Sequence, residues 1–193
     1  ANISFDKNGE RLAYDVAVCN IIINQLAQQK GLEMDRGGAL AKSGTFNEEL
    51  FQNLNALPYF KTEKRQSLGI EQIEKEFFPL FENSKLSIES QLNTFYRHLA
   101  KQIAETTNRS NEKVLVTGGG AFNTFLMDCF TKEGINIDIP SDQTIAFKEA
   151  IVFAFLGYLK VNNQMNVLKS VTGAASDSSS GTVITLKKYS IKV

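Results

Sequence analysis

The 193-residue sequence holds a single histidine, His98. A zinc site of ordinary type draws on several imidazoles and thiolates. The Ser/His/Asp and Cys/His catalytic arrangements each need an imidazole beside a nucleophile. One histidine, lying within NTFYRHLAKQIA, reads instead as a structural or surface residue. Cysteine is almost as scarce. Cys19 and Cys129 have neither metal-ligand nor disulfide spacing, and each sits in an apolar, helix-like context. They read as buried free thiols in a reducing cytoplasm. No charge excess exists, because 21 Lys and Arg balance 21 Asp and Glu. Without a basic stripe, electrostatic binding of nucleic acid has no support. The longest apolar run, AIVFAFLGYL at 150–159, is too short to span a bilayer and reads as a buried helix. The opening ANISFDKNGE has no basic region followed by an apolar core, so no signal-peptide pattern is expected.

What is present is the composition of a globular protein, 42% hydrophobic and 22% charged. A chain of this length buries roughly 70% of its unfolded surface, enough for one domain or two small ones. Asn8-Gly9 between two alternating runs predicts a hairpin of strands 2–6 and 10–14. Val18, Ile22 and Leu26 predict a helix over 16–30 opening at Asp15 and closing at Gly31. Two short helices are expected in MDRGGALAKSG and FNEELFQNLNAL, and a loop in PYFKTEKRQSLG. A further short helix or irregular segment, limited by Pro79, is expected in IEQIEKEFFPLFEN. Ile88, Leu92, Phe95, Leu99 and Ile103 mark one face of the longest helix. A strand at 113–117, a helix at 121–133, the strand INIDIP and a helix at 143–162 follow. SVTGAASDSSSG is a small-residue loop, and TVITLKKYSIKV a final strand. The sum is an α/β layered domain with a mixed sheet and an N-terminal β-hairpin flanked by helices.

The stretch KVLVTGGGAFNTFLM carries the most chemistry. In α/β domains ligands bind at the carboxyl ends of strands. Gly118, Gly119 and Gly120 stand at such an end, where a ring or phosphate can approach bare backbone and a helix start offers N–H groups. A turn needed only for strand–helix packing explains the triplet equally well. No Gly-Lys-Ser/Thr follows, and the nearest acid at a later strand is Asp138, so neither a Walker loop nor a dinucleotide fingerprint fits.

The same stretch resembles the adenosine motif of the sugar-kinase/actin superfamily. More narrowly, it resembles the Gly-Gly-Gly-Ala-x-Asn-x-x-Leu-Met segment of the anhydro-N-acetylmuramic acid kinases. ANIS is similar to that family's Ala-Asn-Ile-Thr strand, and YDVAVCN lies where it has Phe-Asp-Thr-Gly-Pro-Gly-Asn. DRGGALAKSG is similar to its Asp-x-Gly-Gly-x-x-Ala-x-x-Gly, and QSLGIE to its Lys-Ser-Thr-Gly-Arg-Glu. FKEAIVFAFLG is similar to its Glu-Ala-x-x-Phe-Ala-x-Leu, and SVTGA to its Val-Thr-Gly-Ala. The likeness covers nearly the whole chain, in order. It implies a ribonuclease-H-like (actin-like ATPase) lobe, specifically the C-terminal lobe of a two-lobed kinase. The N-terminal lobe with its phosphate loop is not matched by any of these residues.

The resemblance implies ATP and Mg as cofactors and a small-molecule amino sugar as substrate, in cytoplasmic peptidoglycan recycling. It implies Asp15 as the general base that activates a water, and as a group that meets Mg through water. Read without it, Asp15 is a helix N-cap. Asn20 and Glu149 would contact the sugar, although Glu149 equally suits a solvated first turn. Gly118, Gly119 and Gly120 would carry the adenine or ribose, with Asn123 as a polar contact or a helix-surface amide. Asp35 most simply caps a short helix. Two departures stand out. Ala17-Val18-Cys19 replaces Gly-Pro-Gly, and Gln66 and Ile70 replace a lysine and an arginine, while Ser67, Gly69 and Glu71 are kept in a loop read as structural. These departures leave open a kinase for a different sugar, or an ATP-binding lobe without turnover. The missing N-terminal lobe is the expected partner, and a homodimer is consistent with the family.

Overall fold

The computed structural model describes residues 1–62, 67–107 and 113–184. These fall into two compact units. One holds Ala1–Ile3 and Tyr14–Ala146, the other Ser4–Ala13 and the residues from Phe147 onward.

Strands β1 (Asn2–Lys7) and β2 (Glu10–Asp15) pair as the expected hairpin. Asn8 and Gly9 both take positive φ, 54° and 82°, the two-residue turn whose twist suits paired strands. Arg11 Nε lies 3.0 Å from Asp6 Oδ1 near this turn.

The next helix starts later than its apolar spacing suggests. Helix α1 covers Asn20–Gln28, and Val16, Ala17 and Val18 before it are buried and not helical. Val16 N donates to the Ala1 carbonyl at 2.8 Å, prolonging an extended backbone beyond β2. Two β-branched residues favour that conformation. Asp15 therefore ends a strand and is not a helix N-cap.

The first unit is built around one long helix. Helices α2 (Ala39–Ser43), α3 (Glu48–Asn55), α4 (Ile70–Glu76) and α5 (Phe78–Glu82) precede α6 (Ile88–Thr107). The segment expected as a loop before α4 contains a 3-10 turn at Pro58–Lys61, and its residues 63–66 lie outside the described residues. Pro79 occupies the first turn of α5, where a missing N–H costs no helical bond, and it sets the break after α4 at Phe77. The expected stripe holds on α6: Leu92, Phe95 and Leu99 are fully buried, and Ile88 and Ile103 pack at its ends. Burial extends beyond the stripe, to Tyr96, His98 and Gln102, because α1, α2, α3 and α7 (Thr124–Lys132) all lie against α6.

Strand β3 (Val114–Leu115) pairs parallel with β4 (Ile137–Asp138), Val114 opposite Ile137, with α7 between them in sequence. The mixed sheet expected from the sequence is not formed among the described residues. The hairpin and the β3–β4 pair are separate two-stranded sheets. Both later strands are cut to two residues. A glycine with φ 79° follows β3 at Gly118, and Pro140, which has no N–H to add to a ladder, follows β4.

Helix α8 (Asp142–Val161) runs from the first unit into the second. Expected as a buried helix, it buries only Ile145. Phe153 is 70% exposed, and Ile151, Phe155, Tyr158 and Val161 are exposed with it. The apolar residues surround the helix instead of forming one stripe, so no single packed face could bury them. Beyond it, Val167 and Ser178 form an antiparallel bridge around the short helix α9 (Lys169–Thr172). The Asn166 side chain accepts from Ser180 N and donates to the carbonyls of Leu156 and Ser180, so the small-residue loop is tied down. Thr182–Ile184 are not a strand, and the remainder of that expected strand lies outside the described residues.

Candidate functional site

Asp15 is the last residue of β2 and is half-buried. Its backbone carbonyl accepts the Tyr59 hydroxyl at 2.6 Å. Its carboxylate is held through one oxygen. Oδ2 accepts from Ser67 Oγ at 3.1 Å and from Leu68 N at 3.0 Å. Among the described residues no donor reaches Oδ1. A carboxylate anchored at one oxygen and open at the other can accept a proton without losing its place.

Asn20 is exposed at the first position of α1. The thiol of Cys19 donates to its Oδ1 at 3.5 Å. Burial pushes the Cys19 thiol upward, so it stays protonated and is not an activated nucleophile. Cys129, buried in α7, is raised for the same reason. Between Asp15 and Asn20 the side chains of Ala17 and Val18 enter the hydrophobic core.

Two separate glycine motifs form one assembly. Asp35, 4% exposed, accepts from Leu40 N at 2.8 Å and Ala41 N at 3.2 Å, and so caps α2 as expected. This cap folds Gly37 and Gly38 against the start of α7. Thr124 Oγ1 donates to the Gly37 carbonyl at 2.9 Å. A β-carbon on Gly38, whose φ is 75°, would stand 2.4 Å from Phe125 Cβ. No residue with a side chain fits there.

The other motif is the turn it supports. Gly118 has φ 79° and opens a 3-10 turn over Gly119–Phe122. Asn123 then caps α7: its Oδ1 accepts from Leu126 N at 3.0 Å, while its Nδ2 donates to Tyr96 Oη at 2.7 Å. Asn123 is thus a cap rather than a helix-surface amide. Tyr96 is completely buried, and its phenol is pushed well above its ordinary range by that burial and by the nearby Asp35 carboxylate. The phenol stays a neutral bridge between the two motifs.

Gly118 and Gly119 themselves face open space. A β-carbon at either would meet nothing within 4 Å, and one at Gly120 only Leu126 Cδ2 at 3.9 Å. The left-handed turn accounts for Gly118, whereas neither packing nor a positive φ accounts for Gly119. Bare backbone beside a helix start can receive a flat ring or a phosphate.

Asp15, Asn20, Gly118, Gly119, Gly120 and Asn123 belong to the first unit, and Glu149 to the second, where it is exposed on α8. Among the described residues no cluster of three or more His, Cys, Asp or Glu could hold a metal ion. A lone aspartate suits Mg only where substrate phosphates supply other ligands. Also among the described residues, no helix is long and apolar enough to cross a membrane.

In the sequence Ser67 reads as part of a structural loop, and nothing there singles out Tyr59 or Tyr96. Ser67 and Tyr59 reach Asp15 across 52 and 44 residues, and Tyr96 reaches Asn123 across 27. Local pattern carries no signal for such contacts. The Asp-x-Gly-Gly spacing was the one available hint that a close backbone approach lay near Asp35.

A family model described as anhydro-N-acetylmuramic acid kinase matches residues 1–186. An anhydro-N-acetylmuramic acid kinase of Sulfurovum sp. is 29% identical over 177 residues, covering 89% of this chain and 49% of the relative. One from Aliivibrio fischeri is 28% identical over 200 residues, covering 95% of this chain and 53% of the relative. One from Saccharophagus degradans is 28% identical over 201 residues, covering 96% and 53%. The chain spans about half the length of the curated relatives it matches.

Proposed function

The chain belongs to the anhydro-N-acetylmuramic acid kinase family, and on that premise we propose that it is the C-terminal, ribonuclease-H-like lobe of a cytoplasmic ATP-dependent sugar kinase. The whole enzyme opens the 1,6-anhydro ring of anhydro-N-acetylmuramic acid and phosphorylates its O6. Asp15 is the general base. Its Oδ1 takes a proton from a water, whose oxygen bonds to the anomeric carbon as the bond from that carbon to O6 breaks. O6 then takes the γ-phosphoryl group as its bond to the bridging oxygen breaks, and ADP leaves. ATP with Mg supplies that group, and phosphoryl transfer depends mainly on positioning and charge neutralisation.

The observation that carries this reading is the Asp15 carboxylate, fixed through Oδ2 at a strand end with no donor on Oδ1 among the described residues. The other residues fit around it. Gly118, Gly119 and Gly120 offer open backbone to the adenosine. Asn123 holds that turn in place through its cap and through Tyr96. Asn20 and Glu149, both exposed, are available to sugar hydroxyls.

A second reading, a kinase for a different sugar, is favoured by one feature. Ala17 and Val18 are core residues where the family pattern has backbone-exposing glycine and proline. Both readings meet one experiment. Mg-ATP is titrated into the full-length protein with and without 1,6-anhydro-N-acetylmuramic acid, and the product is weighed. A phosphorylated, ring-opened sugar that disappears in Asp15→Asn supports the first reading. Nucleotide binding without that product turns the assignment to another sugar or to a lobe without turnover.

A further inference from the structure

We infer that Ser67 is a positioning residue for the general base, clamping one oxygen of Asp15 so that the other faces the reacting water. The inference rests on the proposed role of Asp15 and adds a residue whose loop otherwise reads as structural.

The terminal torsion of an aspartate is broad and roughly two-fold, so an unrestrained carboxylate presents either oxygen. Here two donors converge on Oδ2, Ser67 Oγ at 3.1 Å and Leu68 N at 3.0 Å. Two donors on one oxygen select one orientation and leave Oδ1 for proton transfer. The backbone of Asp15 is fixed independently by the Tyr59 hydroxyl on its carbonyl. Of the two clamping donors, only Ser67 acts through a side chain. Ser67 is exposed and lies outside the hydrophobic core, so removing its hydroxyl opens no cavity. Its contact with Asp15 joins residues 52 positions apart, at the point where the loop leads into α4. The hydroxyl donates to a charged acceptor, the stronger class of hydrogen bond.

The test uses four variants of the full-length kinase: Asp15→Asn, Ser67→Ala, Ser67→Thr and the double variant Asp15→Asn/Ser67→Ala. Ser67→Ala is expected to lower kcat on the order of tenfold with both KM values held. Ser67→Thr, which keeps the hydroxyl, restores most of kcat. The double variant is no slower than Asp15→Asn alone, because the clamp has nothing left to position. An unchanged kcat in Ser67→Ala, with Asp15→Asn inactive, overturns the positioning role and leaves the general base intact. Equal losses in Ser67→Ala and Ser67→Thr, or a rise in KM at constant kcat, also overturn it, since either marks a substrate contact or loop damage. Full activity in Asp15→Asn removes the general base, and the inference with it.

Discussion

Gly38 lies against Asn123 so closely that a β-carbon on the glycine would stand 2.6 Å from the Asn123 Oδ1. That oxygen is also the cap of α7. Gly38 and the glycine triplet, 80 or so residues apart in sequence, are therefore joined through Asn123, and a side chain at Gly38 would disturb the cap that follows the triplet.

Gly38→Ala is expected to destabilise the fold severely. The new methyl overlaps Phe125 and Asn123, and alanine is strained at a φ of 75°. Overpacking and left-handed strain together cost roughly 2–4 kcal/mol. Chemical denaturation measures this as a lower midpoint with an unchanged slope. A midpoint within error of the parent would remove the close approach from the argument.

Gly119→Ala is expected to behave in the opposite way. Gly119 has no left-handed φ, and its β-carbon would point into open space. Thermal stability should hold or rise by a few tenths of a kcal/mol, since alanine narrows the unfolded ensemble. ATP affinity in the full-length protein should fall at least about tenfold, because a methyl occupies the space assigned to the nucleotide. Unaltered ATP affinity, measured by calorimetry, would place the nucleotide elsewhere.

Tyr96→Phe is expected to cost about 1–2 kcal/mol at neutral pH, since the Asn123 amide loses its acceptor. The pH dependence follows from the raised phenol. A group raised in the folded state contributes stability fully below its unfolded value, near 10 for tyrosine. That contribution is lost as pH climbs above the unfolded value toward the folded one. The parent should therefore lose stability above about pH 10 more steeply than Tyr96→Phe does. Thermal midpoints of the two proteins from pH 8 to 11 give the comparison (roughly spanning the phenol range), and parallel curves would count against a neutral, buried Tyr96.

The 193-residue chain alone is expected to self-associate and to bind a hydrophobic dye. Phe153, Phe155, Tyr158 and Val161 expose 58–70% of their surface on one helix. Contiguous apolar surface of this kind favours association. Phe153→Glu with Phe155→Glu should reduce light scattering without lowering the melting midpoint of the first unit. A clean monomer in the parent chain would refute the expectation.

Much of the fold was legible wherever one local rule governed the structure. Asn8-Gly9 demands a tight turn, and the turn is there. The apolar stripe of α6 sits where its spacing puts it. The start of α1 was not legible, because Asp15 before an apolar run has the look of an N-cap, whereas a backbone bond from Val16 to Ala1 keeps the chain extended. The environment of α8 was misread for a related reason. Apolar composition tells that a helix wants cover, not that cover is at hand. At the site, residue types were legible and their partners were not. Asp15, the glycine triplet and Asp35 announce themselves, but Ser67, Tyr59 and Tyr96 act only through contacts made on folding.

Helix α6 carries a polar row as well as its apolar stripe. Ser90, Thr94, His98 and Gln102 recur every four residues along it, and each is buried. Ser90 Oγ accepts from Thr45 N, Thr94 Oγ1 accepts from Asn47 N, and His98 and Gln102 both meet Asn55 Oδ1. Oily surfaces slide over one another at little penalty, but directional bonds do not. The polar row works as an indexing key: a slip of one residue would break every tooth at once. Tyr96 rides on the same helix, so the key also fixes where the glycine turn stands relative to the segment from Thr45 to Asn55. Drift in the oily contacts of this unit should leave the turn in place, whereas the loss of a single tooth should be felt there.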